Sequence, residues 1–277
     1  MNLENQSILL VTKHNKQEVI APDFKKEFNA KVIVCENVDT DKFGMFSGEI
    51  KRIQSAKETV LNKALEGLKQ NPNFEFAIAS EGSFGNHPDS VFLPYNEEWL
   101  VIVEKSTNEA VYAKSGTVET NFANQITSKE SEIESFLNRV PNAKYVLKTA
   151  LNEKIICKGV SKQSEILEKC KSYFEQGKQV LIETDLRAMN NPLRMKNIAA
   201  TTKQLIENLK SKCPSCNQPG FSIQDSVPGL LCELCEFPSS YPKNHVKICA
   251  HCSFEQVVPP VHGLTRLEAQ YCHFCNP

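Results

Sequence analysis

Long hydrophobic runs, a basic leader and an excess of charge of either sign are all missing from this sequence. No stretch approaches the roughly 18 apolar residues that a membrane-spanning helix needs. The chain starts with MNLENQS, which contains an acid and no basic cluster, so we expect no secretory signal and a cytoplasmic protein. The net charge of -1 gives no electrostatic reason to expect binding to nucleic acid or to a membrane.

The eleven cysteines are distributed unevenly along the chain. Cys35, Cys157 and Cys170 are scattered, and we expect them in the core as small apolar side chains. The other eight form four C-x-x-C pairs: Cys213/Cys216, Cys232/Cys235, Cys249/Cys252 and Cys272/Cys275. In a chain expected to be cytoplasmic, this spacing favours metal binding over disulfides.

The four pairs predict two zinc ions. A C-x-x-C turn lets both sulfurs face one point, and a second turn completes a tetrahedron with Zn–S bonds of about 2.3 Å. Gaps of 15 and 19 residues separate the first two and the last two pairs, and both gaps are typical of four-cysteine zinc sites. We therefore expect sequential pairing, which makes a double zinc ribbon, while a cross-braced arrangement of alternate pairs is the alternative. His251 and His273, beside the cysteines, are expected to be exposed and not ligands.

Four thiolates leave no open position on a zinc ion, so both ions are predicted to be structural and not catalytic. Residues 213–277 contain five acidic and three basic residues, and eight thiolates with two zinc dications bring the formal charge to -6. Phosphate backbones need clustered lysine and arginine, so nucleic acid is not an expected partner. A protein partner at the ribbons, or a purely structural role, fits this charge better.

The first 212 residues alternate between strand and helix patterns, which predicts an α/β domain with a mixed central sheet flanked by helices. Ser55 and Glu58 form a capping box for a helix over 56–70, and Thr127 with Glu130 is expected to cap another. Asn191 is expected to cap a long helix with Pro192 in its first turn. We place the domain boundary before Cys213, giving an α/β domain at 1–212 and a zinc module at 213–277.

Polar segments follow several of the predicted strands, where ligands bind in open α/β sheets. They are 12–16, 80–85, 119–122 and 184–194. Glu81, Glu183 and Asp185 are candidate Mg²⁺ ligands and catalytic carboxylates, because Mg²⁺ prefers a few carboxylates together with substrate phosphates. Lys16, Arg187 and Arg194 are candidates for binding phosphate oxygens, and His14 is a candidate general base. Each of these residues also has a structural interpretation, as a turn, a helix cap or a surface ion pair.

The strings SEGSFG (80–85), ETNF (119–122), ETDLRA (183–188), NPLRM (191–195), CPSC and CHFCNP resemble a bacterial domain-of-unknown-function family over essentially the whole chain. Because the function of that family is unknown, the resemblance does not indicate which activity to expect.

Residues 7–120 also resemble the fold of the inosine/xanthosine triphosphate pyrophosphatases. The matching features are Thr12 and Lys16 after the first strand, the segment Gly44–Gly48, and a helix beginning near Glu58 that contains Lys63-Ala64. They also include a strand that ends in Glu81-Gly82 and the hairpin 99–115. The resemblance implies a Mg²⁺-dependent nucleotide hydrolase in which Lys16 meets phosphate and Glu58 and Glu81 serve the metal.

Two functional hypotheses follow. The first is a Mg²⁺-assisted phosphohydrolase acting on a nucleotide or another phosphorylated small molecule, with Glu81 orienting water. The second is a non-catalytic ligand-binding or scaffold protein whose zinc ribbons recruit a protein partner.

Overall fold

The computed structural model describes residues 1–44, 53–88 and 90–276. Its contacts divide the chain into two compact units, Asn2–Ile206 and Glu207–Pro277, the latter together with Met1. The chain is a mixed α/β protein with a cysteine-rich C-terminal part, as expected. Gly48, which belongs to one of the matching segments named above, lies outside the described residues. No helix among the described residues is long and apolar enough to cross a membrane.

The first half of the larger unit forms a five-stranded mixed sheet with the strand order β2-β1-β3-β4-β5. β1 pairs in parallel with β2 and β3, whereas β3–β4 and β4–β5 are antiparallel. The elements are β1 (Ser7–Val11), α1 (Gln17–Phe28), β2 (Lys31–Val34), α2 (Ala56–Gln70), β3 (Phe76–His87), β4 (Ser90–Glu104) and β5 (Ala110–Thr117).

Helix α2 covers one face of this sheet. Its predicted capping box is confirmed: the Ser55 side chain accepts from the Glu58 N–H, and the Glu58 carboxylate accepts from the Ser55 N–H. The buried stripe of α2 packs on the odd-numbered apolar residues of β1, β3 and β4. At Gly67 the helix approaches β1 so closely that a Cβ would lie 2.4 Å from a methyl group of Val11. Glycine is therefore required there by packing.

The second half of the larger unit forms a separate antiparallel sheet with the order β6-β9-β7-β8. Its elements are β6 (Asn124–Thr127), α3 (Glu130–Arg139), β7 (Tyr145–Thr149), β8 (Ile155–Val160), α4 (Gln163–Glu175) and β9 (Val180–Thr184). Helices α3 and α4 pack on this sheet around Ile133, Phe136, Ile166 and Cys170. Helix α5 (Pro192–Lys210) follows, and the Arg194 N–H donates to the side chain of Asn191 at 3.0 Å, as the predicted cap requires.

Two local expectations are wrong. The segment SEGSFG does not follow a strand as a loop; it continues β3, which runs to His87 because β4 pairs with it along its whole length. Thr127 does not form a capping box with Glu130; its hydroxyl donates to the carboxylate of Glu132 at 2.6 Å instead. At 80–85 the ladder with β4 keeps the chain extended, and at Thr127 the hydrogen bond to Glu132 takes the place of the capping box.

The cysteine-rich unit contains a three-stranded antiparallel sheet, β10 (Phe221–Pro228), β11 (Pro242–Cys249) and β12 (Glu255–Val258), in the order β10-β11-β12. A short 3-10 helix, Ala269–Tyr271, precedes the last cysteine pair. The four cysteine pairs lie in the turns at the ends of these elements.

Candidate functional site

The eight C-terminal cysteines gather into two tetrads, each with sulfur atoms within 4.8 Å of one another. In the first, which we call centre 1, Cys213 lies 3.7 Å from Cys252 and Cys216 lies 3.6 Å from Cys249, sulfur to sulfur. In the second, centre 2, the corresponding distances are 3.9 Å for Cys232–Cys275 and 3.6 Å for Cys235–Cys272. A regular tetrahedron with metal–sulfur bonds of about 2.3 Å has edges of roughly 3.8 Å, so both tetrads have the size that a divalent ion requires.

The expected sequential pairing is wrong. Centre 1 combines the first and third cysteine pairs, and centre 2 combines the second and fourth, so the two centres are cross-braced. The reason is strand register. In the β10–β11 ladder Phe221 is paired with Cys249, which brings the third pair beside the first. A bridge between Cys232 and Leu267, with the Glu233 N–H donating to the Leu267 carbonyl, brings the chain before the fourth pair beside the second.

Backbone N–H groups point at the ligand sulfurs. Ser215, Leu234 and His251 each donate to the sulfur of the cysteine two residues before them, at 3.3 to 3.4 Å. These bonds stabilise thiolate over thiol, which is the form that binds a metal. His251 and His273 are exposed and belong to neither tetrad. Both centres are closed four-thiolate sites that can hold a metal ion and leave no position for a substrate.

A group of buried charged residues lies at one end of the five-stranded sheet. On the α2 face, the Lys63 ammonium donates to the Glu81 carboxylate at 2.5 Å, and both side chains are buried. Burial opposes ionisation of Glu81, but the charge and hydrogen bond of Lys63, together with the charges of Lys16 and Arg194, hold the pKa of Glu81 below its ordinary value. Glu81 is therefore an ion-paired carboxylate and not an open metal ligand.

A second ion pair lies on the opposite face of the sheet. Its strand residue points away from α2 because successive side chains of a strand point to opposite faces. Arg194 of α5 donates through Nε to Glu98 of β4 at 2.7 Å and through another nitrogen to the Leu186 carbonyl at 2.8 Å. The side chains of Arg194 and Glu98 are both fully buried. Gly82, opposite Glu98 in the β3–β4 ladder, makes room for this pair: a Cβ there would lie 2.3 Å from the Glu98 carboxylate.

Lys16 lies next to this pair. It precedes α1, is 6% exposed, and donates through Nζ to the Ser80 hydroxyl at 2.7 Å. Burial, reinforced by the positive charge of Arg194, lowers the pKa of Lys16 to about 7, although Glu98 acts in the other direction. Among the described residues no carboxylate pairs with Lys16. The three residues Lys16, Glu98 and Arg194, which we call the cation cluster, thus carry a net positive charge when Lys16 is protonated.

A further cluster surrounds Asp185 after β9. The Arg187 guanidinium and the Asn190 amide both donate to this carboxylate, at 2.6 and 2.8 Å. Burial would raise the pKa of Asp185, but these bonds hold it below its ordinary value. Glu183, on β9 itself, pairs with Lys148 at 2.6 Å, and burial raises the pKa of Glu183 in spite of that partner.

The family model described as Domain of unknown function (DUF6671) matches residues 63–277, most of the chain. The chain belongs to this family. The DUF6671 match includes both cysteine tetrads, Glu81, Glu98 and Arg194, and it begins at Lys63, after Lys16. A comparison with curated proteins found no match.

The predicted site residues of this DUF6671 chain are only partly brought together. Lys16 and Arg194 meet in the cation cluster, whereas Arg187 binds Asp185 elsewhere. Glu81, Glu183 and Asp185 do not form one group: within the described residues, only the cysteine tetrads place three or more metal-binding side chains close together.

The two remaining candidates are Glu58 and His14. Glu58 is engaged in the capping box of α2, where its carboxylate also accepts from the Ser55 hydroxyl at 2.7 Å. His14 is half-buried in the β1–α1 loop, and its N–H donates to the Thr12 hydroxyl at 3.4 Å.

Two of the buried charged residues of the site were not predicted from the sequence. Lys63 lies in the apolar stripe of α2, and Glu98 occupies an inward position of β4, in phase with Leu100 and Ile102. A charge at a position that periodicity assigns to the core is a usable signal, because such groups are buried only with a partner.

Proposed function

We propose that this chain is a protein with two structural zinc ions whose α/β unit binds a phosphorylated small molecule at the cation cluster. Zinc is the ion that suits the tetrads, because four thiolates in a tetrahedral arrangement are its usual structural site. The observation that carries the ligand proposal is the buried position of Lys16 beside Arg194, with no carboxylate paired to Lys16 within the described residues.

Lys16 is buried beside an arginine, and within the described residues its side chain donates to the Ser80 hydroxyl. Because its pKa is lowered to about 7, Lys16 is protonated in about half of the molecules at neutral pH. Burying a charge is costly unless an opposite charge compensates it. Two carboxylates act on the charge of Lys16, Glu98 and Glu81. Arg194 already binds Glu98 in two places, and Lys63 binds Glu81. A phosphate group at Lys16 would supply the missing negative charge, and lysine and arginine are the usual residues for that role.

The loop that leads to Lys16 supports access from solvent. Lys13 and Asn15 are exposed and His14 is half-buried, so the chain lies at the surface immediately before Lys16. Lys16 also stands at the N-terminus of the twelve-residue helix α1, where backbone N–H groups favour an anion.

Binding is better supported than Mg²⁺-dependent hydrolysis. Glu81, Glu183 and Asp185 are each paired with a cation, namely Lys63, Lys148 and Arg187. A Mg²⁺ ion at any of them would have to displace that partner. Lys16 has no paired carboxylate among the described residues that a phosphate would have to displace.

The test compares Lys16→Gln with the matched control Lys13→Gln, three residues away on the surface. Inorganic phosphate, pyrophosphate and a panel of nucleotides are titrated into each protein by calorimetry, with and without Mg²⁺. We expect wild type and Lys13→Gln to bind a panel member equally, and Lys16→Gln to bind it about ten- to a hundredfold more weakly, the usual worth of a hydrogen bond to a charged group. Equal binding by Lys16→Gln, or no binding of any probe, would refute the proposal.

A second assay tests hydrolysis. Phosphate or pyrophosphate release in the presence of Mg²⁺ or Mn²⁺ is measured for wild type and for Glu81→Gln. Release by wild type alone would establish the phosphohydrolase and overturn our preference for a binding protein. Binding without release is the result we expect.

A further inference from the structure

The two metal centres differ in the residues that their turns expose. In each C-x-x-C turn, the residue before the second cysteine projects from the centre. At centre 1 these residues are polar, Ser215 and His251. At centre 2 they are Leu234 and Phe274, which are 71% and 62% exposed. Because the folding requirements of the two centres are the same, this difference is not explained by metal binding.

Centre 2 carries further exposed apolar surface. Phe237, 56% exposed, lies against Phe274 with ring centroids 4.9 Å apart. Leu231 and Tyr271 flank the same two turns and are 42% and 59% exposed. Large apolar side chains scattered singly on a surface are ordinary, but here two packed rings and three further exposed apolar residues belong to the turns of one centre, and exposed apolar patches mark binding surfaces.

The rim of the patch is acidic. Glu233, Glu236 and Glu268 are exposed around centre 2, against one cation, Arg266, which pairs with Glu236 at 3.3 Å. Four thiolates around a divalent ion add two further negative charges at the base of the patch. A partner at this surface must therefore be basic as well as apolar, because like charges at an interface are costly.

We propose that centre 2 is a docking surface for a partner protein that presents an apolar side chain flanked by lysine or arginine. The apolar side chain packs between Leu234, Phe237 and Phe274, and the flanking cations face Glu233, Glu236 and Glu268. Centre 1 has Ser215 and His251 in place of Leu234 and Phe274 and has only the structural role. This inference rests on the metal proposal above and is independent of ligand binding at the cation cluster.

The test uses a displayed library of random peptides, selected on the metal-loaded full chain. We expect enriched peptides to carry leucine, phenylalanine or tryptophan next to lysine or arginine. Synthetic versions should bind at least about tenfold more weakly to the double variant Leu234→Ser/Phe274→His, which carries the residues of centre 1. The control Ser215→Ala/His251→Ala, at centre 1, should bind as wild type does. Metal content is measured for each variant, so that loss of the centre and loss of docking are distinguished.

The charge requirement has its own variant. Glu233→Gln/Glu236→Gln keeps hydrogen-bond acceptors and removes two charges, so it should weaken binding and reduce its dependence on salt. Absence of enrichment on wild type, enriched peptides without basic residues, or unchanged binding by Leu234→Ser/Phe274→His with full metal content would each overturn the proposal. Self-association of wild type that the Leu234→Ser/Phe274→His change abolishes would assign the patch to a second copy of this chain and overturn the partner assigned above.

Discussion

Arg194→Met is expected to destabilise the α/β unit strongly. The change removes both bonds to Glu98, at 2.7 and 3.4 Å, and the bond to the Leu186 carbonyl. Glu98 is 0% exposed, so its carboxylate would be left buried without the guanidinium that binds it. Removing one partner of a buried ion pair usually costs about 3–5 kcal/mol. In a chain of this size that corresponds to a fall in Tm on the order of 10 °C.

The assay is thermal unfolding of Arg194→Met beside two companions. Replacing both partners, Arg194→Met/Glu98→Met, should recover much of the lost stability, because the buried Glu98 carboxylate that lost its partner is then also removed. Lys196→Met, two residues along α5, removes only the exposed pair with Glu119 and should change Tm little. If Arg194→Met were as stable as Lys196→Met, or if the double variant were less stable than Arg194→Met alone, the cation cluster would not have the energetics described here.

Three further predictions concern single groups. The pKa of Lys16 is lowered from 10.5 to about 7, so between these pH values the unfolded chain binds one more proton than the folded chain. The free energy of unfolding should therefore rise with pH in this range, by up to about 5 kcal/mol. Urea unfolding should show that Lys16→Met abolishes this rise, and an unchanged pH profile would contradict the assignment. Gly82→Ala should lower Tm, since the new Cβ would lie 2.3 Å from the Glu98 carboxylate. The control Gly85→Ala, with open space around its Cβ, should lower Tm less. Equal changes in Tm would argue against the close approach of Glu98 to Gly82. Chelation under reducing conditions should release two metal ions and make eight thiols reactive towards a thiol reagent, while buried Cys35 and Cys170 stay slow; release of one ion would contradict the two-centre description.

The cysteine ligands were predictable from sequence, but their pairing was not. Two residues between cysteines fix a local turn, and local turns can be read from spacing. The gaps between successive pairs are all of moderate length, so spacing permits either pairing. The choice is made by the register of β10 on β11 and by the bridge from Cys232 to Leu267, which are long-range contacts.

The capping box at Ser55 and Glu58 was predictable for the same reason, since it depends on four adjacent residues. The role of Glu81 was not. Its position in a polar segment suggested a metal ligand at a strand end, whereas the extended β3 places it on the α2 face, opposite Lys63. The likeness to inosine/xanthosine triphosphate pyrophosphatases stays a prediction.

The measurement that tests the cross-braced pairing most directly is the zinc content of two double variants of the full chain. Cys216→Ser/Cys252→Ser removes two ligands from centre 1 and leaves centre 2 intact, so it should retain one zinc ion per chain. Cys216→Ser/Cys235→Ser removes one ligand from each centre and should retain less than the first variant, with both ions weakened. The opposite result, one tightly held ion in Cys216→Ser/Cys235→Ser and loss of both in Cys216→Ser/Cys252→Ser, would show that the cysteines pair sequentially and would contradict the structure described here.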